Sequence, residues 1–243
     1  MKEALKRCYS YEELNKIAEG LLEFYYEKSN RKYKGYVEIE KFITEFLKLR
    51  IEYVSFAGED TDTLGFLADG KTAISIYSDK QIVSAVFPCS TIVLDNRLLS
   101  SKENGRRRFT LAHEAAHFIL LRLFSTESDS IFLMGFAAER KYSREEIALL
   151  LSSAETQANA LAAALLMPEE LVKRTLRKLG LPCPVRVYNH EVFTMNDKFK
   201  LRQAADSLQV SVSAFIIRLQ ELKLLINHNF SEFIESELRL GGE

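Results

Sequence analysis

A histidine pair with a glutamate between its members, His113-Glu114-Ala115-Ala116-His117, constrains this chain more than any other feature of its sequence. The surrounding residues 106–121 contain no Pro or Gly and repeat apolar side chains at helical spacing, which predicts a helix. Residues four apart on a helix project about 40° from one another, so both imidazoles leave one face. Two imidazoles so placed reach a single tetrahedral ion, and Glu114 lies beside the position that protein ligands leave open. Zinc lowers the pKa of water in such a position to about 7, and a carboxylate within reach takes the proton. His113 and His117 are therefore candidate ligands of Zn2+, and Glu114 is the candidate catalytic base. The competing reading is a pair of surface histidines with no metal. The chain has only four histidines, and two fall at this spacing on a helix, which favours the metal.

A catalytic zinc takes three protein ligands. Glu155, in Glu155-Thr156-Gln157-Ala158-Asn159, is the candidate third, read as opening a helix with Asn159 one turn later on the same face. A polar group there suits the orientation of a ligand histidine from behind. Ala158, Ala162 and Ala163 are small enough for two helices to approach closely. The other reading is that Glu155 favours its helix's N-terminus electrostatically. The residue pattern alone leaves both open.

Around these motifs the chain divides into recognisable stretches. Residues 3–28 predict a helix, and a second follows through Ile39, Phe42, Ile43, Phe46 and Leu47. Between 51 and 95, short β-branched and aromatic runs alternate with Gly, Asp and Ser, the pattern of a small antiparallel sheet. Asp69-Gly70 is a hairpin signal between two of these runs. Ser100 and Glu103 have capping-box spacing before the histidine helix, on which Phe109, Ala112, Ala116 and Leu120 form the inward stripe. Arg106, Arg107 and Arg108 read as a solvated helix start, with substrate contact as the sharper alternative. Residues 125–142 interrupt the helical pattern as a loop or insertion, and Ser143 and Glu146 suit the cap of a further short helix. Residues 153–167 predict a helix ending before Pro168, which suits the first turn of the next. Pro182 and Pro184 read as a linker. Helices over 199–208 and 212–223, joined by Gln209-Val210-Ser211, have helix-turn-helix character, with Phe215, Ile216 and Leu219 as core. Their charges, Lys198, Lys200, Arg202, Arg218 and Lys223 against Asp197, Asp206 and Glu221, leave a mild positive excess, which favours a packing subdomain over a DNA reader. His228 reads as an exposed loop residue, and His190 is not expected to reach the cleft. The domains expected are 1–180 and 195–243.

With 47% hydrophobic and 28% charged residues the composition is that of a globular protein. A net charge of −1 gives no global attraction to nucleic acid or an anionic membrane, so direct nucleic-acid binding is not expected. Cys8, Cys89 and Cys183 are scattered and odd in number, read as small apolar fillers in a reducing compartment. The first residues carry no apolar leader, and the longest apolar run, 160–168, is far too short to span a bilayer. A cytoplasmic location is expected.

The segments RRRFTLAHEAAHFIL and ETQANALAAALLMP together resemble the ImmA/IrrE family of bacterial metallopeptidases. The shared pattern is an Arg-rich approach to Phe-Thr-x-Ala-His-Glu, then Glu-x-x-Ala-Asn on a helix ending in Met-Pro. LRQAADSLQVSVSAFIIRLQELKLL is similar to a further segment of that family. The resemblance implies an α+β fold with a zincin-like core of small sheet and helices, followed by a helical, helix-turn-helix-like subdomain. It implies zinc on His113, His117 and Glu155, and an endopeptidase acting on a protein substrate, a transcriptional repressor. Ala116 stands where relatives often have Gly, and Leu161 where an aromatic is usual. The long separation of His117 from Glu155 suggests that 125–142 is an added lid or docking element. The strand at 91–95 is the expected edge for a peptide substrate. The alternative is a zinc-binding regulatory protein acting through its C-terminal helices on DNA or a partner, and a third reading is a toxin of a toxin–antitoxin pair.

Overall fold

The computed structural model describes residues 9–30, 34–57, 63–124 and 144–238, with side chains at 124, 144–152 and 235–238 left aside. The chain divides into two compact units, Met1–Lys32 with Glu38–Leu166, and Tyr33–Val37 with Met167–Glu243. It is an α+β protein with a small mixed sheet beside helices.

In the first unit, α1 (Tyr11–Ser29) starts from a reciprocal cap. The Ser10 hydroxyl accepts from the Glu13 amide, and the Glu13 carboxylate accepts from the Ser10 amide. Leu14, Ala18, Leu22, Tyr25 and Tyr26 supply its buried face. The part of the expected helix before residue 9 lies outside the described residues. A single helical turn, α2 (Ile39–Lys41), runs into a π-helical turn at Phe42–Phe46.

Five strands follow: β1 (Arg50–Phe56), β2 (Gly65–Leu67), β3 (Ala73–Ser78), β4 (Gln81–Val86) and β5 (Thr91–Asp95). Their order is β2-β5-β1-β3-β4. The sheet is mixed, because β1 and β5 run parallel with Arg50 opposite Thr91. All five residues of β5 are buried, as expected for a continuous apolar run flanked on both sides. That also corrects the edge expected at 91–95. β5 is interior, and the outer strands are β2 and β4. Asp69-Gly70 does not close a hairpin either, since β2 pairs with β5 while β3 pairs with β1 and β4. The Asp69 carboxylate instead accepts from the Lys71 and Thr72 amides, a local turn that redirects the chain. The hairpin in this region is β3–β4, turned by Asp79 and Lys80 at φ 49° and 66°.

Two 3-10 turns, Asn96–Leu99 and Ser101–Glu103, lead into α3 (Asn104–Phe124). Ser100 makes no side-chain cap, so the predicted capping box is not formed. Asp95 caps the first turn, accepting from the Arg97 amide at 2.7 Å and its Nε at 2.8 Å. The inward face of α3 is Arg108, Leu111, Ala112, Ala115, Ala116, Ile119 and Leu120, with Phe109 half-buried. The arginine run is thus not a solvated start throughout. Arg108 is 2% exposed, its guanidinium 3.7 Å from the Glu40 carboxylate. α4 (Arg144–Leu166) packs on both α3 and α1. Residues 125–142 and the cap read at Ser143 lie outside the described residues.

The second unit holds α5 (Glu169–Lys178), β6 (Val185–Tyr188), α6 (Met195–Leu208), α7 (Val212–Glu221), β7 (Leu225–His228) and α8 (Phe230–Leu238). Pro168 is the N-cap of α5 rather than part of its first turn. The stretch after Pro184, read as linker, forms β6 in parallel register with β7. α6 and α7 are joined through Gln209 in the left-handed conformation, φ 57°. His228 is a half-buried residue of β7, not a loop residue. Cys89 and Cys183 are exposed free thiols, not apolar fillers. Among the described residues, no helix is long and apolar enough to cross a membrane.

Candidate metal centre

The two helices that meet at the site are apolar where they touch and polar where they open. α4 brings Ala158, Ala162 and Ala163, all buried, to a helix pair that includes Ala112, Ala115 and Ala116 of α3. Such short side chains permit a close approach, so polar groups one turn away meet across the gap. The Nε2 atoms of His113 and His117 lie 3.0 Å apart. The Glu155 carboxylate puts one oxygen 3.2 Å from the first and the other 3.3 Å from the second.

These separations test whether a metal fits. Bonds of about 2.0–2.1 Å to a tetrahedral ion give ligand–ligand edges of about 3.3 Å. The observed separations are close to that length, with the two Glu155 oxygens each facing one imidazole, and His113, His117 and Glu155 form a group able to hold a metal ion. Glu155 lies eleven residues inside α4, not at its opening. The helix-terminus reading of this glutamate therefore has no basis, and its side chain, 57% exposed, leaves the fourth side accessible.

The candidate ligands are set up from behind. Nδ1 of His113 lies 2.9 Å from Oδ1 of Asn159. A carbonyl oxygen there calls for an N–H at Nδ1, which leaves the Nε2 lone pair for the ion. His117 is held below its ordinary pKa, first by burial, then by the charge of His113, with Glu155 opposing. Both effects keep it neutral, as ligation requires.

Glu114 follows His113 on α3 but turns to the side that β2 covers. It is 8% exposed, and its pKa is pushed up to about 7, by burial first and by the Glu155 charge second. A hydrogen bond from the Leu67 backbone amide opposes the rise. A dication on the three ligands would also oppose it and favour the carboxylate. Neither Leu67 nor its neighbour Gly65 was singled out from the sequence. A backbone donor leaves no residue-type signal, although a glycine inside a strand run marks a close backbone approach. His190 and His228 belong to the second unit, where their rings lie against Asn227 at 3.3 Å and Glu232 at 2.8 Å.

Residues 91–180 match the Peptidase_M78 family model, described as the IrrE N-terminal-like domain. The matched stretch contains His113, Glu114, His117, Glu155 and Asn159, in agreement with the ImmA/IrrE resemblance. No curated protein matches the chain.

Proposed function

We propose that this chain is a zinc-dependent endopeptidase that cleaves a protein substrate, a transcriptional repressor. The observation that carries the reading is the convergence of two imidazole nitrogens and one carboxylate at 3.0, 3.2 and 3.3 Å, with a second carboxylate on the next residue of the same helix. The peptidase family matched over this stretch supports it, and the repressor rests on the family resemblance. Zinc held by His113, His117 and Glu155 would supply Lewis-acid polarisation of the scissile carbonyl and acidify water. Glu114 takes a proton from the attacking water and returns it to the leaving amine. Asn159 fixes the His113 ring through Nδ1.

The test is metal content and cleavage read together. Glu114→Gln should retain zinc by elemental analysis while cleavage of a co-encoded repressor, followed by mass spectrometry, falls at least about a thousandfold. His113→Ala should lose both. Cleavage by Glu114→Gln at the wild-type rate would remove Glu114 from the mechanism.

A further inference from the structure

β2 carries a device that the proposed chemistry does not by itself require. Its register opposite β5 uses alternate residues. The Asp95 amide donates to the Leu64 carbonyl and the Ala68 amide to the Thr91 carbonyl, with Phe66 opposite Val93. In an antiparallel ladder the residues between, Gly65 and Leu67, turn their amides away from the partner strand. β2 is outermost, so the Leu67 amide points off the edge of the sheet, and it is bonded to Glu114.

That bond depends on how closely β2 lies on α3. A Cβ at residue 65 would sit 2.6 Å from Leu94 Cδ2, 2.9 Å from Thr110 Cγ2 and 3.1 Å from the Val93 carbonyl oxygen. The leucine tip can rotate away. The other two cannot yield as easily, since Val93 O is backbone of the paired strand. Thr110 is β-branched, and its hydroxyl is tied to the Arg106 carbonyl at 3.0 Å. Any side chain at 65 must therefore lift β2 from α3, four residues before Glu114 on that helix.

We propose that Gly65 and Leu67 are positioning residues for Glu114, Gly65 by letting β2 seat against α3 and Leu67 by holding the Glu114 carboxylate with its backbone amide. This rests on Glu114 being the base, but the hydrogen bond can be tested without turnover. The first measurement is amide hydrogen exchange by NMR on the metal-loaded full chain. Glu114→Ala should speed exchange at Leu67 about tenfold while Phe66 and Ala68 keep their protection. Gly65→Ala should do the same if it folds. Unchanged exchange at Leu67 in Glu114→Ala would overturn the proposal.

The second measurement uses Leu67→Pro, which deletes one N–H that the sheet does not use, at an outer strand where proline is tolerated. On internally quenched casein, kcat should fall about tenfold, with KM and zinc stoichiometry unchanged. Leu67→Ala, which keeps the amide, should stay within about twofold of wild type. Equal kcat in the proline variant would overturn the proposal. If the wild type leaves casein uncut, general proteolysis fails as a reading of the site, and the exchange comparison alone decides the role of the strand.

Discussion

Ionising Glu114 in the metal-free protein works against folding, because the carboxyl is buried and faces the charge of Glu155. Its pKa of about 7 lies above the ordinary 4.5, so the folded state holds this proton more tightly than the unfolded chain does. The resulting stability is fully present below about pH 4.5 and is lost as pH rises through 7. A shift of that size corresponds to about 3 kcal/mol. The metal-free Glu114→Gln variant should therefore match wild type near pH 4.5 and exceed it by up to about 3 kcal/mol at pH 8 in urea unfolding. The depressed pKa of His117 gives the opposite slope, and the comparison of the two proteins cancels it. A constant difference across that range would mean that Glu114 titrates normally. Asn159 makes a separate prediction. Asn159→Ala removes the acceptor behind His113, and chelator competition should show zinc bound about 10–100-fold more weakly. Unchanged affinity would show that the His113 ring is fixed by other means. That these side chains come together was open to sequence reasoning because histidine, carboxylate and amide at helical spacing have few joint uses. The Leu67 amide was not, since every residue but proline carries one.

Elements were legible where periodicity was strong and misread where pairing was not local. The stretch carrying His113 is helical, and its apolar and polar faces follow the 3.6-residue repeat. β-strand runs were visible too, but their partners were not. Which strand neighbours which depends on packing far along the chain, as the parallel pairing of β1 with β5 illustrates. Asp-Gly drew the hairpin to residues 69–70, whereas the turn is made by Asp79-Lys80 without a glycine. Both turn residues have positive φ, which suits a type I′ turn, the geometry that matches strand twist. A lysine in that conformation carries strain that glycine does not. Lys80→Gly should therefore stabilise the protein by about 0.5 kcal/mol, after allowing for glycine's greater unfolded entropy. Urea unfolding of the two proteins decides it, and a destabilised Lys80→Gly would count against the turn as drawn.

For the molecule as a whole, the question is whether the second unit reads nucleic acid. Composition weighs against it, since the net charge is −1 and nothing global attracts a polyanion. The excess of cations around α6 and α7 is weaker than their count suggests. Arg218 is the one cation of α7, the helix that would enter a groove, and it is 1% exposed. Its Nε donates to the Met167 carbonyl at 3.0 Å, and its guanidinium meets Glu221 at 3.2 Å. Lys200 is engaged as well, donating to the Gly180 carbonyl. The exposed residues of α7 are then Ser213, Ile217 and Gln220, none of them charged. Specific DNA binding draws on several phosphate contacts from such a surface, each adding to the salt dependence of affinity. The full chain should therefore show no saturable binding to duplex DNA below about 10 µM at 150 mM salt by fluorescence anisotropy, weaker than specific readers by orders of magnitude. A submicromolar Kd that weakens steeply with salt would sink this reading and make the candidate metal site part of a regulator. Arg218→Ala separates the structural role from the electrostatic one. It strands a buried carbonyl and a half-buried carboxylate, which should cost about 2–4 kcal/mol in unfolding while leaving the weak DNA signal where it was.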